Sequence, residues 1–139
     1  MSTAYFDSNA FVKLLIDEDG SDLAVTLWDA ASEVVSNILA YPEVRAALAA
    51  AWRGRRIDDD QIDEAEDEWE RYWSSVRQID LTELIARVAS QECRNHALSG
   101  ADGVHLASAL ALSEAGVVVV TWDKRLSLGA RAAGLHVSP

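Results

Sequence analysis

The stretch TAYFDSNAFVKLL, residues 3–15, decides how the chain is read. Ala4, Tyr5 and Phe6 form a brief apolar run suited to a strand, Asn9 to Leu15 read as the start of a helix, and Asp7 stands between them. A carboxylate at such a joint has two explanations. It can cap the helix that follows, or it can place a charge at the edge of a sheet where ligands bind.

Outward from this joint the same alternation continues. ASEVVSN (31–37) and GVVVVTWD (116–123) are β-branched runs bounded by polar residues or Gly, with weaker strands expected at RQIDL (77–81) and GLHVSP (134–139). Between them SDLAVTLWDAA (21–31), PEVRAALAAAWRG (42–54), DQIDEAEDEWERYWSSV (60–76), LTELIARVASQECRNHALSG (81–100) and DGVHLASALALSEAG (102–116) carry helical spacing or composition. The expectation is an α/β protein with a mainly parallel sheet covered on both faces. At 139 residues it fits one domain, spanning 1–139, with a sizeable core.

Composition narrows the function. No basic segment leads into a long apolar run, and no apolar stretch approaches the roughly 20 residues that span a bilayer, so the expected compartment is the cytoplasm and no membrane is involved. The single Cys93 excludes an intrachain disulfide and a cysteine-rich zinc site. A net charge of −11 argues against a general nucleic-acid binder. Nine of the acids, however, fall between Asp58 and Glu70, leaving fourteen against twelve bases elsewhere. Screening over about 8 Å keeps that segment from governing a distant cleft, so RNA remains open as a ligand.

Asp7 ends the first strand and Asp123 the most apolar one, while Glu43 follows Pro42 near a helix start and Asp102 opens DGVHLASALAL. Each has a purely structural explanation: helix caps for Asp7 and Asp123, a favourable helix dipole for Glu43, and a capping box with Ser99 for Asp102. All four explanations put the acids at strand ends or helix starts. In a parallel doubly wound sheet those points share one edge, where crevices form. Converging carboxylates must protonate or share a cation, and an all-oxygen donor set suits Mg²⁺ or Mn²⁺. Such an ion supports phosphodiester hydrolysis.

With YFDSNAFVKL, VVSNILAYPEV, SGADGVHLASAL and VVVVTWDKRL in this order, the chain resembles the PIN-domain ribonucleases, most closely the VapC-type toxins of toxin–antitoxin pairs. The resemblance covers essentially the whole chain. It implies a single PIN-like domain with about five parallel strands flanked by helices, and metal-dependent RNA cleavage. It also implies a homodimer or an antitoxin-bound hetero-oligomer, and inhibition by a cognate antitoxin. Carried over residue by residue, Asp7, Glu43, Asp102 and Asp123 match the family's acidic quartet, while Ser8, Asn9 and Thr121 match polar residues that orient carboxylates or waters. Gly103 departs from the pattern, which favours Ala or another helix former there.

An acidic crevice that accepts RNA needs cations beside it, and Lys13, Arg45, Lys124 and Arg125 are the candidates. A partner surface is expected at the turn between two helices, from Trp52, Arg53, Arg55 and Arg56 to Glu66, Trp69, Glu70 and Trp73 on the acidic helix. The plainer reading of that helix is an amphipathic one with Ile62, Ala65, Trp69, Trp73 and Val76 facing inward. His105 shares a helix face with Asp102 and reads as a hydrogen-bonded structural residue before it reads as a general acid. Two rival functions stand beside the nuclease: a noncatalytic PIN-like binding module, and a receiver-like domain phosphorylated on an aspartate.

Overall fold

A computed structural model describes residues 3–112 and 116–139. The chain runs β1 (Thr3–Phe6), α1 (Ser8–Leu15), α2 (Ser21–Ala30), β2 (Glu33–Asn37), α3 (Ala40–Arg53), α4 (Asp59–Ser74), β3 (Arg77–Ile79), α5 (Glu83–His96), α6 (Gly100–Leu110), β4 (Val118–Val120), α7 (Lys124–Ala132) and β5 (His136–Ser138). The strands form one sheet in the order β3-β2-β1-β4-β5, every neighbouring pair parallel. Among the described residues no helix is long and apolar enough to cross a membrane.

Alternation along β1 divides the interior. Ala4 and Phe6 point into a core built with α1, α3 and α4, whereas Tyr5 enters a second core with Leu98, Leu106 and Leu126. A strand with both faces buried needs an unbroken apolar run, which AYF, EVVSN and VVV nearly supply. Connections leave β1 toward β2 on one side, and the chain later returns to β4 on the other. The switch point therefore lies between β1 and β4, and their carboxyl ends border the crevice expected there.

Helix boundaries shift by a few residues from the sequence reading, at α3 and α6 among others. The α3 helix starts at Ala40, so Pro42 occupies its third position; a missing N–H costs nothing in a first turn, where those donors lack intrahelical acceptors. The α6 helix ends at Leu110, and the part of the expected helix on residues 113–115 lies outside the described residues. Gly103 has a packing reason. A Cβ there would meet Cys93 Sγ at 2.4 Å and the Ala89 carbonyl oxygen at 2.8 Å, so the glycine lets α6 lie directly against α5.

The acidic helix α4 buries Ala65, Trp69 and Trp73, the face its spacing predicts. Trp69 is fully buried, with Phe11 at 5.0 Å and Trp73 at 5.2 Å between ring centroids and Tyr41 stacked on it at 6.0 Å. This corrects the assignment of Trp69 and Trp73 to a partner surface: their indoles hold α4 onto α1 and α3. Burying so much aromatic area inside the fold outweighs leaving it exposed for a partner.

Candidate active site

Asp7 follows the last residue of the central strand, and its backbone N–H still reaches the Val120 carbonyl at 3.3 Å. Only 3 % exposed, it has both carboxylate oxygens engaged: Oδ1 accepts from the Ala10 N–H at 2.9 Å, capping α1, and Oδ2 accepts from the Thr121 hydroxyl at 2.5 Å. Thr121 Oγ1 in turn accepts from the Asp123 N–H at 3.0 Å, so one hydroxyl ties the ends of β1 and β4 together. Asp123 caps α7 through the Leu126 N–H at 2.8 Å. Both aspartates do the capping that local chemistry predicts, and capping is what brings them to the same edge.

Asp102 lies in the first turn of α6, where Ser99 caps the helix by accepting from the Asp102 N–H at 3.2 Å. Glu43 lies in the first turn of α3 and accepts from His105 Nε2 at 2.6 Å. Burial pushes the Asp7 carboxyl up to about 6, with Asp102 adding to the rise and the Thr121 hydroxyl opposing it. Asp102 is also raised, by partial burial first and then by the charges of Asp123 and Glu43. The four acids therefore share one field. Anions crowd this corner, and among the described residues their side-chain partners include no Lys or Arg.

Among the described residues no three His, Cys, Asp or Glu side chains stand close enough to ligate one ion. Chemically the donor set still fits a hard divalent cation: it is all carboxylate, and each engaged oxygen of Asp7 keeps a second lone pair. Neither Ser8 nor Asn9 makes a side-chain hydrogen bond to the four acids among the described residues.

The expected cations divide. Lys124 and Arg125 lie exposed in the first turn of α7, directly after Asp123. Lys13 is occupied, donating to Glu18 Oε1 at 3.2 Å and the Asp19 carbonyl at 2.6 Å, with its ammonium 5.2 Å from the Trp122 ring centre. Arg45 turns away from the quartet and pairs with Glu66 and, at 3.7 Å, Glu70 on α4, while Glu70 also accepts from the Tyr41 hydroxyl. A helix residue three positions from Glu43 could have shared its face, but Arg45 is only two away, which puts it on another side of α3. Trp52, Arg53, Arg55 and Arg56 line an open depression with Asp58, Asp59 and Asp60, and it includes none of the four acids.

Behind the quartet runs a buried polar chain of which the sequence reading marks only His105, as a hydrogen-bonded structural residue, and misses Tyr5, Asn37 and Ser108. Tyr5, Asn37, His105 and Ser108 are all at most 2 % exposed. Tyr5 Oη accepts from the Asn37 N–H at 3.1 Å and meets His105 Nδ1 at 2.7 Å, and the Asn37 amide donates to Ser108 Oγ at 3.0 Å. Burial raises the Tyr5 phenol well above its ordinary value. The only hint was polar residues interrupting apolar runs, as in VVSN and HLASAL.

The fold is an all-parallel α/β sheet whose capping acids line one edge at its switch point, the place where sheets of this kind bind ligands. The chain belongs to the PIN domain family, which matches residues 4–131. It is 51% identical over 139 residues to Ribonuclease VapC45 and to Ribonuclease VapC49 of two Mycobacterium tuberculosis strains, covering 100% of this chain and 96% of each relative. Among solved structures it resembles FitAcB from Neisseria gonorrhoeae, with TM-score 0.70, 18% identity and coverage of 98% of this chain and 96% of that one. It also resembles Mycobacterium tuberculosis VapC20, described as a sarcin-ricin loop cleaving toxin, with TM-score 0.68, 19% identity and coverage of 95% of both chains. At these identities the two structures speak for the fold.

Proposed function

We propose that this chain is a metal-dependent endoribonuclease that hydrolyses RNA phosphodiester bonds and acts as a toxin neutralised by a cognate antitoxin. The observation that carries the reading is Asp7: a carboxylate buried at the switch point, raised to about 6 by burial, with further acids around it. Helix capping accounts for where Asp7 and Asp123 stand but does nothing to relieve the repulsion among the acids, which a divalent cation offsets. The ribonuclease relatives, matched end to end, support the same conclusion.

Ribonucleases of this family are generally dependent on a divalent metal. We assign Mg²⁺, with Mn²⁺ able to substitute, to Asp7, Glu43, Asp102 and Asp123. When bound, the ion supplies charge stabilisation at the phosphoryl group and activation of water. Asp7 acts as the fixed point, because Ala10 and Thr121 hold its orientation. The other three acids are less buried and must turn toward it for an ion to be shared. Lys124 and Arg125 lie beside Asp123 and attract the RNA backbone. The expected products carry a 5′-phosphate and a 3′-hydroxyl. The protein works in the cytoplasm as a single domain of residues 1–139, as a homodimer or bound to its antitoxin.

Sheet order weighs against the receiver-like alternative. That class needs adjacent acids after its first strand and an acceptor aspartate ending its third, placed beside the first. Here Asp7 stands alone, and the third strand, followed by Asp80, is the sheet edge, two strands from Asp7. The test of the nuclease reading is cleavage of RNA by purified protein with Mg²⁺, with Mn²⁺ and with chelator. Cleavage is expected only with metal, and Asp7→Asn is expected to abolish it without unfolding the chain, since Asn caps a helix as well as Asp does. Undiminished cleavage by Asp7→Asn, with contaminating nuclease excluded, would sink the assignment.

A further inference from the structure

Glu43 differs from the three aspartates in its freedom. A glutamate has three rotatable side-chain bonds, and fixing such a chain costs up to about 2 kcal/mol of conformational entropy. The three aspartates have shorter side chains, and Asp7 and Asp123 are further held by capping bonds. What holds Glu43 is His105, which is 2 % exposed and reaches Glu43 Oε1 from Nε2 at 2.6 Å.

The other side of the imidazole explains why Nε2 can donate. His105 Nδ1 lies 2.7 Å from Tyr5 Oη, and that oxygen already accepts from the Asn37 N–H. The Glu43 carboxylate can only accept, so Nε2 carries a proton; on a neutral ring Nδ1 is then the acceptor, and the phenolic proton of Tyr5 goes to it. The neighbouring hydroxyls spend their own protons elsewhere, Ser36 on the Phe6 carbonyl and Ser108 on the Val104 carbonyl, both at 2.7 Å, so neither donates to Oη. With Nδ1 as acceptor, a neutral ring carries its proton on Nε2 and points it at Glu43.

We propose that His105 is a positioning residue for Glu43, with Tyr5 setting its tautomer, so that a half-buried glutamate presents its other oxygen, Oε2, toward the aspartates in one orientation. The inference rests on the metal-dependent nuclease reading. It follows the general rule that groups behind a metal ligand orient it, and that losing such a group costs 10- to 100-fold in metal affinity or activity. The chain that delivers this order begins on β1 and crosses to α6 and α3, so the sheet itself aims the carboxylate.

The test is a double-mutant cycle on Mn²⁺ binding, measured by electron paramagnetic resonance of free Mn²⁺ without RNA present. His105→Leu should weaken binding at least about 10-fold in the parent and cause no further loss in a Glu43→Gln background. His105→Gln, which keeps a donor for Glu43, should restore most of the affinity. Equal losses in both backgrounds, or unchanged binding in folded His105→Leu, would overturn the proposal while leaving the nuclease reading intact. A parent protein that binds no Mn²⁺ and cleaves no RNA would overturn both. If His105→Leu does not fold, two measurements still decide. Imidazole ¹⁵N spectra of the parent should show His105 carrying a proton on Nε2, and Tyr5→Phe should lose Mn²⁺ affinity in the parent only. A ring protonated at Nδ1 alone, or equal effects of Tyr5→Phe with and without Glu43, overturns the assignment.

Discussion

Asp7 does three things with one carboxylate: it caps α1, it accepts from Thr121, and it sits where burial raises its proton affinity. The consequence for metal-free protein has a definite sign. Between its ordinary value of 3.8 and about 6, Asp7 keeps its proton in the folded chain while the unfolded chain has lost it, so stability is full below pH 3.8 and falls as pH rises through 6. That interval corresponds to about 3 kcal/mol. Asp102 is shifted in the same direction and adds to the fall. Denaturant melts in chelator across this range should show the decline, and Asp7→Asn should flatten it and match or exceed the parent in stability above pH 6. A stability profile rising with pH in the parent and unchanged in Asp7→Asn would show that burial does not raise this carboxyl.

At the scale of elements, each helix that borders the crevice is positioned by a residue whose role can be separated from chemistry. Ser99 only caps α6, so Ser99→Ala should cost about 1 kcal/mol of stability and leave metal-dependent cleavage largely intact. Gly103 opposes local propensity in order to let α5 and α6 touch. Alanine would gain up to about 1 kcal/mol as a helix former. It would also force its methyl against Cys93 Sγ and the Ala89 carbonyl, and overpacking of this kind costs about 1–3 kcal/mol. A net loss is expected for Gly103→Ala in thermal melts, partly relieved by Cys93→Ala. Trp69→Ala should cost about 3–5 kcal/mol, as truncation of a buried aromatic does. Charge reversal at Glu66 and Glu70 breaks the surface pairing with Arg45 and the Tyr41–Glu70 hydrogen bond and should cost well under that.

At the scale of the whole molecule, a toxin must meet its antitoxin, and co-purification with the product of an adjacent reading frame is expected. With Trp69 and Trp73 in the core, the remaining candidates near the α3–α4 turn are Trp52, 44 % exposed and bonded to Asp59, and the arginines Arg53, Arg55 and Arg56. Replacing these four together should weaken antitoxin binding about 10-fold or more if the turn is part of that interface, read by titration calorimetry. Unchanged affinity in a folded variant would remove the turn from it. By itself the sequence determined the alternation of strand and helix, the apolar face of α4, and the four acids at strand ends and helix starts. Those features are local, written in periodicity and capping chemistry within a few residues. Only the tertiary structure decided that Arg45 serves α4, that Trp69 fills the interior, that Gly103 makes room for Cys93, and that Tyr5 and His105, one hundred residues apart, form one chain leading to Glu43. The reason is physical: which way a side chain turns depends on the element packed against it, and no spacing along the chain encodes that neighbour.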